Sequence, residues 1–193
     1  MILENVKELR ARTGCGIVDC QAALQETGGD IEQAIMLLRK RGKAHAAKKA
    51  TRPTQEGTIA AYVHGNGKVA VVVSLLCETD FVARNEKFKE LARNIALHVA
   101  AMEPVTVRPE EISEEALAAE RAIAADQAAA SGKPDAIQEK MIAGRLEKFK
   151  AEKALLTQPY VKNPSQKVAD LISEAVSELG ENISVGEFSR VTI

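Results

Sequence analysis

Two carboxylates, Glu78 and Asp80, stand two residues apart and are the strongest local hint of acid–base or metal chemistry in the chain. In a strand, residues two apart point to the same face, as a hard metal ion or an acid–base pair requires. Two carboxylates alone make a poor site, so solvation, or capping of a following helix by Asp80, is the better interpretation. The histidines His45, His64 and His98 fall in different predicted elements and have no acid or nucleophile beside them.

Other chemical motifs are missing from the sequence. It contains no Gly-rich phosphate loop, dinucleotide fingerprint or His-Glu-x-x-His pattern. Its cysteines, Cys15, Cys20 and Cys77, are odd in number and lack the spacing of zinc ligands, which predicts reduced thiols. We therefore expect no catalytic site, no metal and no cofactor, although residues distant in sequence could still meet in space.

Phe81 is the residue best suited to bind a partner. It follows an apolar, β-branched run at residues 69–76, which suits a strand buried on both faces, and precedes a helical pattern that begins at Lys87. Aromatic residues are only 3% of the chain, so a Phe between Asp80 and Arg84 in a connection is unusual here. One interpretation is a core residue that anchors the turn. The other is a wedge for another protein, because large aromatic side chains dominate interface hot spots.

Composition narrows the class of protein. The 193 residues are 46% apolar, and 26 basic residues balance 27 acidic ones for a net charge of -1. This balance disfavours nucleic acid as a partner. No apolar stretch is long enough to span a membrane and no secretory pattern opens the chain, which predicts a soluble cytoplasmic protein.

The first fifty residues predict a small three-helix domain. Residues 2–12 carry one apolar stripe, residues 13–16 break the helix, and Asp30 with Gln33 predicts the cap of a third helix that Gly42 ends. The stripe of the first helix comprises Ile2, Leu3, Val6 and Leu9. A basic helical extension then leads into a linker, so we place domains at residues 1–50 and 57–193 with the linker at 51–56.

The sequence patterns of residues 57–193 predict an α+β domain. Two strand patterns flank Gly65-Asn66-Gly67, which is typical of a β-hairpin, and residues 183–193 predict a third strand. A helix that begins at Lys87 and ends near Glu103, an Ala-rich helical hairpin within residues 110–157 and a last helix over 165–179 complete the domain. The expected architecture is a three-stranded antiparallel sheet with helices on one side and a protruding antiparallel helical hairpin.

These motifs closely resemble bacterial elongation factor Ts. The resemblance spans the chain and is carried by residues 6–10, 13–20, 29–32 and 79–82, and, in the helical hairpin and after it, by residues 132–134, 139–141, 144–145 and 158–159. It implies a guanine-nucleotide exchange factor for elongation factor Tu, with a ubiquitin-associated-like N-terminal domain that docks on the GTPase and a coiled-coil hairpin.

The resemblance also implies roles for individual residues. Asp80 and Phe81, within Thr79-Asp80-Phe81-Val82, match the pair that enters between two helices of the GTPase and disturbs its magnesium site. Arg10, Ile17 and Val18 match N-terminal docking residues, and His98 matches a histidine at the same contact surface, although its place beside an apolar helical stripe favours a partly buried structural role.

The chain departs from the family in three respects. Ile17-Val18 replaces the usual Met pair, which keeps the apolar contact but loses the adaptability of Met. Gln21-Ala22 replaces a basic pair, so contacts that need those charges are in doubt. The core is present once, as in the short form that forms a homodimer, and a three-stranded sheet alone leaves edges to cover.

Two other classes of protein remain open. One is a plain binding module, since three-helix domains of this size also bind ubiquitin or nascent chains. The other is a hydrolase that uses His98 with Asp80, for which the sequence shows no nucleophile. An exchange factor needs no catalytic group of its own, because it stabilises the nucleotide-free state of its partner and, by linkage, nucleotide weakens its own binding reciprocally.

Overall fold

The computed structural model describes residues 2–193, with side chains from Leu3 onward. Its helices are α1 (Ile2–Thr13), α2 (Ile17–Glu26), α3 (Ile31–Lys49), α4 (Asp80–Ala83), α5 (Glu86–Met102), α6 (Glu114–Ala130), α7 (Asp135–Lys153) and α8 (Val168–Leu179). Its strands are β1 (Glu56–Val63), β2 (Val69–Cys77), β3 (Pro159–Tyr160), β4 (Asn163–Lys167) and β5 (Ile183–Thr192). The fold is α+β, as the sequence predicts.

The three N-terminal helices share one apolar cluster. Its buried members are Val6, Leu9, Cys20, Ala23, Leu24, Ala34, Ile35 and Leu38. The Asp30 side chain accepts from the N–H of Gln33 at 3.0 Å, so the predicted cap of α3 is present. Of the predicted stripe on α1, Leu3 is exposed and the side chain of Ile2 lies outside the described residues.

Gly42 does not end α3, which runs on to Lys49, so this part of the prediction is wrong. Gly42 is buried, and a Cβ atom there would lie 3.3 Å from Ser177 Oγ. A glycine inside a helix costs about 1 kcal/mol relative to alanine, and packing routinely overrides such a preference. The close approach of α8 explains why a residue without a side chain stands here.

The main sheet is three-stranded and antiparallel, in the order β1-β2-β5. Burial alternates along β2: Val71, Val73, Leu75 and Cys77 are buried, whereas Val72 is 47% exposed. The expectation of a strand buried on both faces is therefore wrong. An antiparallel strand can carry apolar residues on an exposed face, and an unbroken apolar run does not reveal which face is covered.

Helices α6 and α7 form the predicted helical hairpin, joined by residues 131–134. Ala124 and Ala128 are buried at its seam, as the Ala-rich pattern predicts. The Glu120 side chain is buried. Arg145 donates a hydrogen bond to it at 2.6 Å and balances its negative charge.

The chain before α8 differs from prediction. Residues 163–167 pair with β3 as strand β4, so the last helix begins at Val168 rather than near Ser165. The N–H of Val168 donates to the Gln158 carbonyl oxygen at 3.1 Å. Pairing with β3 holds residues 163–167 in an extended conformation, and this contact overrides the helical periodicity of the segment.

The chain divides into two compact units. The first comprises residues 1–60, 74–92 and 170–185, and the second comprises residues 61–73, 93–169 and 186–193. The first contains the N-terminal helical cluster and residues 78–81, which we call the aromatic turn, and the second contains the helical hairpin. No helix over the described residues is long and apolar enough to cross a membrane.

Candidate partner-binding site

The aromatic turn begins where β2 ends at Cys77. Thr79 is the N-cap of α4, and its side chain accepts from the N–H of Val82 at 3.5 Å. Asp80 was expected to cap this helix, and that expectation is wrong. Asp80 lies in the first turn and forms an ion pair with Arg84 at 3.0 Å.

Phe81 is exposed on this short helix. Its side chain is 81% exposed, whereas Val82 is half-buried and Ala83 is buried. The alternative that Phe81 is a core residue is therefore wrong. A phenyl ring held out into water from a capped turn forgoes the stabilisation that burial would give, which is the pattern of a binding residue.

The backbone of the turn is held by Glu181, which follows α8. Glu181 Oε2 accepts from the N–H groups of Glu78 and Thr79 at 3.1 and 3.0 Å, and its Oε1 accepts from the Thr79 hydroxyl at 2.6 Å. Hydrogen bonds to an ionised group are roughly twice as strong as neutral ones. Sequence reasoning missed Glu181, because about a hundred residues separate it from Thr79 and only the fold brings them together.

Glu78 is itself held by hydrogen bonds from other segments of the chain. Its Oε1 accepts from the N–H of Asn182 at 2.6 Å and from Arg52 at 3.4 Å. Asn182 is buried, and its amide donates to the Arg52 carbonyl oxygen at 2.8 Å. Glu78 is thus a structural carboxylate, which removes the acid–base pair considered with Asp80.

Cys77, at the end of β2, has an unreactive thiol. Burial is the main cause that raises its pKa to about 11, and the nearby Glu181 carboxylate raises it further. The Cys77 thiol donates to the Thr79 carbonyl oxygen at 3.2 Å. Cys77, Cys15 and Cys20 are all free thiols.

The N-terminal docking candidates flank one loop. Ile17 and Val18 begin α2 and are 50% and 77% exposed, and Arg10, in the last turns of α1, is also exposed. Gly14 has a φ of 68° and donates its N–H to the Arg10 carbonyl oxygen at 2.8 Å, which closes α1 and turns the chain toward Ile17.

His98 is fully buried in α5. Its Nδ1 accepts from the N–H of Val161 at 3.1 Å, and its Nε2 donates to Gln158 Oε1 at 3.0 Å. Burial lowers the pKa of His98, so the ring is neutral, and it also packs on Tyr160. Its role at a partner surface stays a prediction, and the structural role is supported by these contacts. Over the residues described, no three His, Cys, Asp or Glu side chains cluster as metal ligands.

Comparison with known proteins shows to which protein family the chain belongs. The sequence profile described as "Elongation factor TS" matches residues 23–193. Elongation factor Ts of Rubrobacter xylanophilus is 51% identical over 188 residues, covering 97% of this chain and 96% of its own length. Elongation factor Ts of Carboxydothermus hydrogenoformans is 50% identical over 185 residues, covering 96% and 85%.

The fold and these relatives together define a translation elongation factor of the α+β class. The chain belongs to the elongation factor Ts family. The family resemblance noted in the sequence is thereby confirmed.

Proposed function

We propose that this chain is a guanine-nucleotide exchange factor that binds elongation factor Tu in the cytoplasm and promotes GDP release. Phe81 enters between two helices of the GTPase nucleotide domain, and Asp80 follows it toward the magnesium and phosphate site. The chain supplies no catalytic group. It stabilises the nucleotide-free GTPase, and nucleotide weakens its binding by the same factor.

The observation that carries this proposal is an aromatic side chain that is 81% exposed on a turn held by three hydrogen bonds to Glu181, two from backbone N–H groups and one from the Thr79 hydroxyl. A rigid anchor loses little conformational freedom on binding, so more of its contact free energy is available to open the nucleotide site. Asp80 forms an ion pair with Arg84, and a carboxylate brought near the magnesium site of the GTPase would compete with the phosphates for the metal.

A second contact surface is proposed on residues 1–50, the ubiquitin-associated-like domain. The exposed apolar pair Ile17 and Val18, with Arg10 nearby, would dock on the nucleotide domain. The buried cluster shared by α1, α2 and α3 supports residues 1–50 as one packed domain, to which we add the linker 51–56 and the core 57–193. The compact units are drawn differently, because the first unit joins residues 1–60 with 74–92 and 170–185. His98 would act on the partner indirectly, by holding segment 158–161.

We further propose a homodimer. Val63, Val72 and Val191 lie in neighbouring strands and are 64%, 47% and 62% exposed. Exposed apolar side chains grouped on a sheet indicate a protein interface. A second copy of the chain presents the same apolar face, so two copies would bury these side chains against each other.

The functional test is release of fluorescent GDP from elongation factor Tu, measured by stopped flow at increasing concentrations of this chain. We expect a saturable acceleration, and linkage requires that excess GDP weakens the complex of the two proteins by the same factor. An unchanged GDP dissociation rate in the presence of a stable complex would identify a plain binding module instead.

A further inference from the structure

The three residues between α8 and β5 contact three segments that are distant in the sequence. The Gly180 carbonyl oxygen accepts from Lys49 Nζ at 2.6 Å, and the Asn182 side chain donates to the Arg52 carbonyl oxygen at 2.8 Å. Between them, Glu181 accepts three hydrogen bonds from Glu78 and Thr79. One short connection therefore holds the end of α3, the linker and the aromatic turn.

Glu181 is the member of this group that acts on the aromatic turn directly. Both of its carboxylate oxygens are engaged, and every donor belongs to the two residues that precede Asp80 and Phe81. The Thr79 hydroxyl donates to Glu181 and accepts from the N–H of Val82, so the Glu181 contact continues into the first turn of α4. The direction in which Phe81 projects is therefore set from outside α4, a helix of one turn that cannot be rigid alone.

We propose that Glu181 is a positioning residue for nucleotide exchange, which holds the Thr79 cap so that Phe81 meets the GTPase in a single orientation. This inference rests on the function proposed for Phe81. Functional groups must be held within fractions of an ångström by surrounding contacts, and displacement of about 1 Å can cost a hundredfold in rate. The three hydrogen bonds that Glu181 accepts come from its own chain, so the part assigned to it is to position the turn and not to contact the nucleotide.

The test is a double-mutant cycle on GDP release from elongation factor Tu with Glu181→Gln and Phe81→Ala. Gln keeps the shape of Glu but carries one acceptor oxygen and an amide group that faces the same N–H donors. At sub-saturating factor we expect Glu181→Gln to slow exchange about tenfold or more. In the Phe81→Ala background, Glu181→Gln should slow exchange by less than about a further twofold, because the two residues act as one unit.

The matched control is Glu147→Gln, which makes the same charge change at an exposed position on α7 and should leave exchange at the wild-type rate. A wild-type rate for Glu181→Gln, with Phe81→Ala inactive, overturns the positioning role alone. A wild-type rate for Phe81→Ala overturns the proposed function. Equal effects of Glu181→Gln in both backgrounds show general destabilisation and also overturn the inference.

Amide hydrogen exchange of the unmodified protein keeps the inference testable if Glu181→Gln does not fold. The N–H groups of Glu78 and Thr79 should be protected to the level of neighbouring strand amides, since Glu181 accepts from both. Exchange at the rate of an open loop would contradict the inference.

Discussion

Phe81 and His98 show how similar sequence contexts lead to opposite environments. Each stands near an apolar helical pattern, yet Phe81 is 81% exposed and His98 is fully buried with both ring nitrogens hydrogen-bonded. The Phe81 side chain is therefore accessible to a partner, whereas both ring nitrogens of His98 are hydrogen-bonded to segment 158–161. Residue type alone would have suggested the reverse arrangement.

The neutral His98 ring predicts a pH dependence of stability. Burial holds the pKa of His98 below its usual 6.5, so the unfolded chain takes up this proton first as the pH falls. The stability that His98 contributes is complete above pH 6.5 and is lost as the pH falls toward the folded pKa. Between pH 6.5 and the folded pKa of His98 the wild type should lose up to about 1.4 kcal/mol per pH unit more than His98→Asn.

Urea unfolding at several pH values measures this difference. His45→Asn is the control, because His45 is exposed and its replacement should leave the wild-type pH dependence unchanged. Parallel stability curves for wild type and His98→Asn would show that His98 is not held neutral by the fold.

At the level of single residues, the sequence allowed the aromatic turn to be found but not what holds it. Phe81 was identifiable from its rarity and its place between a strand and a helix. Glu181 was not, because a carboxylate after a helix-ending glycine has many roles and its donors lie about a hundred residues away. The assignment of the cap to Asp80 failed because Thr and Asp are both good caps and only geometry distinguishes neighbours.

The close packing of β1 against β2 depends on the absence of a side chain at Gly57. A Cβ atom at this position would lie 2.3 Å from the Leu75 carbonyl oxygen and 3.0 Å from Leu76 Cα in β2. Both contacts are backbone, so the strands must move apart to admit a methyl group. We expect Gly57→Ala to lower the free energy of unfolding by about 1 to 3 kcal/mol.

The control for this prediction is Gly65→Ala in the hairpin connection, where a Cβ atom meets nothing within 4 Å. Thermal and urea unfolding should place Gly65→Ala within about 0.5 kcal/mol of wild type. Equal stabilities for the two variants would mean that β1 and β2 are not packed as closely as described.

Local patterns predicted most elements, and tertiary contacts explain the exceptions. Periodicity and turn chemistry suffice for the N-terminal helices, the β-hairpin and the helical hairpin. The continuation of α3 through Gly42 depends on Ser177, and β4 depends on its pairing with β3. Ser177 is far from Gly42 in the sequence, whereas β3 lies only three to eight residues from its partners in β4, so in both cases a contact between segments overrode the propensity of the segment itself.

At the scale of the whole molecule, the exposed valines of the sheet predict self-association. Val72→Glu would bury a carboxylate in the proposed interface, so light scattering at micromolar concentration should shift from twice 20.8 kDa to 20.8 kDa. Val105→Glu, at a position that is 59% exposed outside the sheet, should leave the dimer intact. A wild-type particle of 20.8 kDa would count against the homodimer.

If Phe81 opens the nucleotide site of elongation factor Tu, its truncation in Phe81→Ala should slow the release of GDP. Truncation of an interface anchor costs about 2 kcal/mol or more, so exchange at sub-saturating factor should fall roughly thirtyfold. The melting temperature should stay near the wild-type value because the side chain is exposed. Val105→Ala, which also shortens an exposed apolar side chain, should exchange normally. A folded Phe81→Ala protein that releases GDP at the wild-type rate would contradict the account.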